Sequence, residues 1–338
     1  MAAYTTIDNP ELYFQAKLYT GNGSDGNAIT LDGDENMQPD FLWIKERSTT
    51  NSHRVYDSVR GVNAALLAND SNAEDQYAAY GQLESFDSDG FTVGAGTSNG
   101  AGTNASSATI VAWCWKESAT AGFDIITHSG TGSAKNESHS LSATPHWILT
   151  KCRSDAQSWA THHKSYSATE KVMYLDNNNA LASTDPDWLT AVSSSTISLG
   201  GSGSDANTSG RTYVAYLWSE KQGFSKFGSY EGNGNADGTF VYLGFRPAWL
   251  MVKPIDASDN WVNFDNKRLG FNSSVSPYSL HANKNFAETT DTGQLDFLSN
   301  GFKIRNSGNT VNRTSTFIYM AFAEAPFVNS NGVPCNAR

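Results

Sequence analysis

A chain of 338 residues is long enough for two or three domains of ordinary size. Its net charge of −11 and its lack of any basic run exclude nucleic acid as an expected partner. Charged residues make up 17%, aromatics reach 12% and glycine is abundant, a balance that disfavours long helices and disorder and favours strands joined by tight turns.

Residues 1–13 carry neither a basic region nor an apolar core, so no signal peptide is expected, and no run of 18 apolar residues predicts a membrane span. The three cysteines, Cys114, Cys152 and Cys335, are an odd number and stand in no metal spacing, which predicts two packed thiols, one tail thiol and folding in a reducing cytosol.

From residue 14 the chain repeats. Phe14-Gln-Ala-Lys-Leu-Tyr-Thr-Gly, Phe123-Asp-Ile-Ile-Thr-His-Ser-Gly and Phe224-Ser-Lys-Phe-Gly-Ser-Tyr-Glu-Gly each read as a strand running into a glycine turn. A short strand follows, in Ala28-Ile-Thr-Leu31, Ser138-His-Ser-Leu141 and Phe240-Val-Tyr-Leu243. Next comes the clearest marker of the repeat: Pro39-Asp-Phe-Leu-Trp-Ile-Lys45, Pro145-His-Trp-Ile-Leu-Thr-Lys151 and Pro247-Ala-Trp-Leu-Met-Val-Lys253. Its lysines are 106 and 102 residues apart. Four or five consecutive apolar residues predict a central strand buried on both faces, with the lysine solvating its end.

Eight residues past each lysine stand His53, Trp159 and Trp261, opening short strands at what reads as a packing position with one polar variant. A further strand ends in an asparagine turn at Asn69, Asn177 and Asn283. Asp89-Gly90 and Asn300-Gly301 mark tight hairpins through the positive φ that glycine allows. Ser193-Ser-Ser-Thr-Ile-Ser-Leu199 lacks the glycine and predicts a turn that is longer or differently shaped. The last strand carries large residues at alternate positions, in Ala108-Thr-Ile-Val-Ala-Trp-Cys-Trp-Lys-Glu117, Arg211-Thr-Tyr-Val-Ala-Tyr-Leu-Trp-Ser-Glu220 and Ser315-Thr-Phe-Ile-Tyr-Met-Ala-Phe-Ala-Glu324, as in the core strand of a sandwich.

About seven short strands per hundred residues predict an all-β fold of three tandem β-sandwich, jelly-roll-like repeats. They span residues 14–118, 119–221 and 222–325, between the arm at 1–13 and a tail at 326–338. The Gly/Ser/Asn-rich runs 94–107 and 200–210 read as exposed, mobile loops.

Candidate chemistry is sparse. Asp32-Gly-Asp-Glu35 and Asp87-Ser-Asp-Gly90 resemble fragments of calcium loops but lack the remaining ligand positions, so they read as hairpin turns. Glu117, Glu220 and Glu324 end the same strand in each repeat. That is what repetition produces, not a carboxyl pair across one cleft. His162 and His163 alternate on a strand and point apart, so they cannot share a metal. No nucleophile elbow or phosphate loop occurs. No catalytic, cofactor or metal residue is therefore expected, and the chain reads as a non-enzyme. Trp188, in Asp185-Pro-Asp-Trp-Leu, lies off the strand pattern and is the candidate exposed aromatic.

Several long motifs add a resemblance. They include Tyr4-Thr-Thr-Ile-Asp-Asn-Pro, Asp57-Ser-Val-Arg-Gly, Ser85-Phe-Asp-Ser-Asp-Gly-Phe-Thr-Val-Gly, Val111-Ala-Trp-Cys-Trp-Lys, Asn266-Lys-Arg, Leu298-Ser-Asn-Gly-Phe-Lys and Tyr319-Met-Ala-Phe-Ala-Glu-Ala-Pro-Phe. Over nearly its whole length the chain resembles tandem-repeat virion structural proteins of tailed phages of marine bacteria. The resemblance implies a virion-surface location, other capsid or tail proteins as partners, a homotrimer, and no catalytic residues. It implies a tail-fibre-type adhesin contacting a host surface glycan or, alternatively, a capsid decoration or head-fibre protein. A polysaccharide depolymerase is the third reading. The chain departs from a typical tail fibre in having no separate attachment domain or repetitive shaft.

Overall fold

Eight strands recur three times in the same order in a computed structural model that describes residues 3–98, 102–182, 188–201, 205–268, 278–289 and 295–335. The first repeat holds β1 (Phe14–Thr20), β2 (Asn27–Thr30), β3 (Phe41–Glu46), β4 (Arg54–Asp57), β5 (Leu66–Leu67), β6 (Leu83–Asp87), β7 (Gly90–Val93) and β8 (Thr109–Trp115). The second holds β9 (Phe123–Ser129), β10 (Lys135–Ser138), β11 (Trp147–Cys152), β12 (Ala160–His163), β13 (Met173–Tyr174), β14 (Leu189–Val192), β15 (Thr196–Leu199) and β16 (Thr212–Trp218). The third holds β17 (Ser225–Glu231), β18 (Phe240–Tyr242), β19 (Phe245–Pro254), β20 (Val262–Asp265), β21 (Leu280–His281), β22 (Leu295–Leu298), β23 (Gly301–Ile304) and β24 (Thr316–Pro326).

Each repeat is a sandwich of a five-stranded and a three-stranded antiparallel sheet. The orders are β1-β8-β3-β4-β5 with β2-β7-β6, then β9-β16-β11-β12-β13 with β10-β15-β14, then β17-β24-β19-β20-β21 with β18-β23-β22. The expected tandem β-sandwich architecture is the observed one. Local details differ. β10 lies three residues earlier than the sequence pattern places it. The serine turn of the middle repeat is three residues long, and the Ser193 hydroxyl accepts the amides of Ser195 and Thr196. Of the two hairpin glycines, Gly90 and Gly301, only Gly90 uses a positive φ. What Gly90 and Gly301 share is the carbonyl of the neighbouring strand, which a Cβ would meet at 2.0 Å.

The five-stranded sheets are buried on both faces, and their two faces do different work. In repeat 1, Leu42, Ile44, Tyr56, Ile110, Ala112 and Cys114 pack beneath the repeat's own small sheet. The alternate residues, Phe41, Trp43, Val55, Val111, Trp113 and Trp115, face away from that sandwich. They meet the matching faces of the other two repeats in one shared core. The large alternating residues of the last strand therefore line the junction between repeats rather than the sandwich interior. Eight of the nine tryptophans lie in this shared core.

Rings from all three repeats touch around the centre. Trp115 meets Trp218 at 6.3 Å and Trp249 at 5.5 Å, while Trp147 meets Trp249 at 6.3 Å. The three repeats thus close on one another. A separated first repeat would return Phe41, Trp43, Trp113 and Trp115 to water, at about 1.5–3 kcal/mol for each large side chain. That sum rivals the entire net stability of a typical domain, about 5–15 kcal/mol.

The three joints share a backbone bond. Glu74 N–H donates to the Arg153 carbonyl, Leu181 to Ile255 and Glu288 to Arg47, at 2.8–2.9 Å. Around it, the joint between repeats 1 and 2 is ionic. The Arg60 guanidinium bridges Asp57 (2.5 Å) and Glu74 (2.7 Å), Glu74 also binds Arg153, and the Tyr216 hydroxyl donates to Asp57 (2.6 Å). The joint between repeats 3 and 1 repeats the design. Arg268 bridges Asp265 (2.6 Å) and Glu288 (2.9 Å), Glu288 binds Arg47, and the Trp113 N–H donates to Asp265 (2.9 Å). Between repeats 2 and 3 the corresponding residues are His163, Tyr166, Leu181, Ile255 and Met320, and this set is neutral. His163 Nε2–H donates to the Tyr319 carbonyl (3.2 Å), and burial pushes the imidazole down to about 3.

Candidate functional site

The three marker lysines do not reach solvent. Lys45, Lys151 and Lys253 are fully buried, which corrects the expectation of solvated strand ends. Each ammonium folds back onto the carbonyl of the next residue, Glu46 (2.5 Å), Cys152 (2.9 Å) or Pro254 (2.8 Å). Lys45 and Lys253 add a loop carbonyl of their own repeat, Thr49 and Ala257, while Lys151 crosses a joint to Ser71. Burial lowers the amines to about 8, 8 and 7 respectively. They tie loops and joints together and present no free amine.

The glutamates act at the linkers. Glu117 Oε1 accepts the Ile125 amide (3.1 Å) and Glu220 Oε1 the Phe227 amide (2.6 Å), so each fastens the end of one repeat to the first strand of the next. Glu324 pairs with Arg246. Glu117 also shares a hydrogen bond with Asp124, and burial followed by that contact pushes it up to about 7. Carboxyls in direct contact are closer than either glycosidase geometry needs.

His162 and His163 are both buried on β12. Among the described residues, no group of three or more His, Cys, Asp and Glu is arranged to hold a metal. The aspartate turns are internally satisfied: Asp87 accepts the Ser85 and Thr92 hydroxyls, and Asp32 pairs with Lys17. Cys114 and Cys152 are buried free thiols, and Cys335 is exposed.

The Gly/Ser/Asn-rich runs are not loose where they are described; residues 99–101 and 202–204 lie outside the described set. Asn104, Asn207 and Asn312 are fully buried at matching positions before the last strand. Asn207 accepts the Thr131 amide (2.9 Å) and donates to the carbonyls of Ser133 (2.7 Å) and Gly200 (2.6 Å). Asn104 and Asn312 grip the equivalent turns. Gly130 permits this approach, because a Cβ there would meet the Thr208 carbonyl at 2.0 Å. The recurrence of asparagine at spacings of 103 and 105 was the signal for these anchors, hidden among many other asparagines.

Trp188 is also buried, packed with Leu189 and Leu199 inside the second sandwich, which corrects its reading as an exposed aromatic. Among the described residues, exposed aromatics are Tyr80 in repeat 1 and Phe240, Tyr242, Tyr278 and Phe286 in repeat 3. Phe240 and Tyr242 project from edge strand β18 with 44% and 47% exposure, flanking buried Val241. By strand register the matching positions hold Ala28 and Thr30 in repeat 1 and Asn136 and Ser138 in repeat 2. The signal was an aromatic pair at positions that are small or polar in the other repeats.

Tyr242 borders a cleft of about 410 Å³ between repeats 2 and 3, lined also by Tyr4, His146, Glu220, Gln222 and Lys226. The arm places Tyr4 there: its hydroxyl donates to the Gly244 carbonyl (2.9 Å) and lies 3.4 Å from the Tyr242 hydroxyl. Gly244 sits at φ 83°, and a Cβ would come within 2.5 Å of that hydroxyl. Lys226 Nζ donates to the Tyr242 carbonyl (2.7 Å) and stands 5.3 Å from its ring centroid. Glu220 pairs with Lys164 (2.5 Å), and its amide donates to His146 Nδ1 (3.0 Å). Burial lowers the pKa of His146. The cleft therefore combines phenol rings with a carboxylate, an amide and an ammonium.

A family model described as "Domain of unknown function (DUF7483)" matches residues 9–326. The chain belongs to that family. One model spans all three repeats, in keeping with repeats that complete one another's core. No curated protein and no solved structure matches the chain.

Proposed function

We propose that the chain is a structural protein of a virion surface, a tail-fibre-type adhesin that contacts host surface glycans. The observation that carries the reading is the closure of three sandwiches on one aromatic core. Closure produces a stiff three-lobed body whose polar turns and outer sheets remain for contact. The titratable groups favour a contact role over a catalytic one. The marker lysines, the paired histidines and the joint carboxylates are buried and tied to backbone or to each other. An adhesin also needs no strong single site, since repeated weak contacts gain avidity.

Whole virions imaged by electron microscopy with labelled antibody test the reading. Label at the tail tip is expected, and purified chain should bind host cells. Label spread over icosahedral positions of the shell would overturn the adhesin in favour of a decoration protein. The homotrimer implied by the resemblance would multiply a body that is already threefold within one chain. A monomer mass in solution would remove it.

A further inference from the structure

We propose that the cleft beside β18 is a saccharide-binding site confined to repeat 3, with Tyr242 as its stacking platform and Phe240 extending it along the strand. The inference deepens the adhesin reading and rests on it, because it names where a surface glycan would be held.

Three observations point to this occupant. First, the volume of about 410 Å³ suits a small polar molecule rather than a protein segment. Second, the lining joins aromatic faces to hydrogen-bonding groups of both kinds. A sugar needs this combination, since its ring presents C–H groups on its faces and hydroxyls at its rim. Glu220 can accept from hydroxyls, Lys226 can donate, the Tyr4 hydroxyl, whose own proton goes to Gly244, can accept, and Gln222 can do both. Third, Phe240 and Tyr242 are alternate residues of one strand, so they rise from the same sheet face about 7 Å apart. A ligand longer than one ring reaches both.

Their direction also separates the saccharide from the competing occupant, a peptide strand. β18 is an edge strand and could accept another strand in its plane, but such a strand bonds to the backbone edge and leaves the sheet face uncovered. The two rings stand on that face. They break the threefold pattern of the body, since the matching positions in the other repeats offer no ring. One site per chain is therefore inferred.

The test uses the full chain on an array of immobilised bacterial oligosaccharides, neutral and acidic, followed by calorimetric titration of the best-bound one. Tyr242→Ala should weaken binding about tenfold and Phe240→Ala several-fold. Both should leave the thermal midpoint unchanged, because the side chains are exposed. Thr30→Ala and Ser138→Ala, at the matching positions of repeats 1 and 2, should leave affinity unchanged. Array binding that survives Tyr242→Ala and Phe240→Ala would overturn this site while leaving the adhesin reading intact. Equal losses from the repeat 1 and 2 variants would overturn its confinement to repeat 3. No binding of the wild-type chain to the array or to host cells would overturn the adhesin reading itself. Self-association by sedimentation, abolished by Tyr242→Ala, would replace the saccharide with a second copy of the chain.

Discussion

Two of the joints between repeats are ionic and the third is neutral, although all three use the same backbone hydrogen bond in the same place. At the ionic joints an arginine held by an aspartate three residues earlier reaches a glutamate that also binds an arginine across the joint. At the neutral joint a histidine, a tyrosine, a leucine and an isoleucine stand in those places. One chain therefore contains both solutions to a single packing problem. Desolvating buried ions offsets most of what they gain from one another, so an apolar replacement of similar volume can serve equally well. The charged version adds selectivity, because an arginine buried against the wrong edge would be left unpaired.

The comparison is broken most sharply by removing one ion. Arg60→Ala leaves the buried Asp57 and the half-buried Glu74 without their bridge and should cost about 3–5 kcal/mol in urea unfolding. Tyr166→Arg should cost a similar amount at the neutral joint, and adding His163→Asp with Leu181→Glu should restore much of it. If Arg60→Ala cost less than about 1 kcal/mol, the ionic joints would carry no more than surface pairs do.

The marker lysines sharpen the contrast through pH. The nearby carboxylates Glu46 and Glu288 support the charge of Lys45, whereas Lys253 faces the added repulsion of Arg313 and sits lowest, at about 7. An amine lowered in the folded state binds fewer protons there than in the unfolded chain. Stability should therefore rise with pH from about 7 towards the ordinary lysine range, by roughly 2–4 kcal/mol for each such amine, until buried tyrosines begin to oppose it. Unfolding at pH 7, 8.5 and 10 measures the slope. Lys253→Met should flatten it more than Lys45→Met, and equal effects would show that the carboxylates do not matter.

Away from the joints the repeats should behave alike. Asn207→Ala strands the Thr131 amide and two carbonyls and should cost about 1–3 kcal/mol, with similar losses for Asn104→Ala and Asn312→Ala by thermal melting. The smallest effect is expected from the quadruple exchange Asp57→His, Arg60→Tyr, Glu74→Leu and Arg153→Ile, which carries the neutral set into an ionic joint. A change within about 2 kcal/mol would support interchangeable joints, and a loss comparable to Arg60→Ala would refute them.

The repeat and the strands were legible because proline, an aromatic (Phe41, Trp147, Trp249) and lysine recur in register and because period-two alternation survives in the last strand. What alternation cannot tell is which of two buried faces meets which partner. Trp113 and Cys114 are both fully buried, one towards the other repeats and one towards its own sandwich. The lysines were misread because a charged residue ending an apolar strand is ordinarily solvated, and nothing local announces a second repeat packed over it. Trp188 was misread for a related reason: off-pattern position suggested exposure, yet the residue fills its own sandwich. The Asp-x-x-Arg pairs at 57 and 265 stood in plain view. Their role across the joints became visible only when Tyr216 and Trp113 arrived from distant sequence.

Two joints are spanned by short linkers, and the third is closed by the arm and the tail. Ser330 donates its amide to Asp8 (2.6 Å), and Thr5 lies so close to Gly223 that a Cβ there would meet its side chain at 2.9 Å. Only the third joint therefore lacks a covalent bridge. Opening the linker between Glu117 and Phe123 while splicing the tail to the arm should preserve the three joints and every sandwich. Such a circular permutant should fold to the same body. The order in which the chain visits its repeats is then incidental, and only their cyclic succession is encoded.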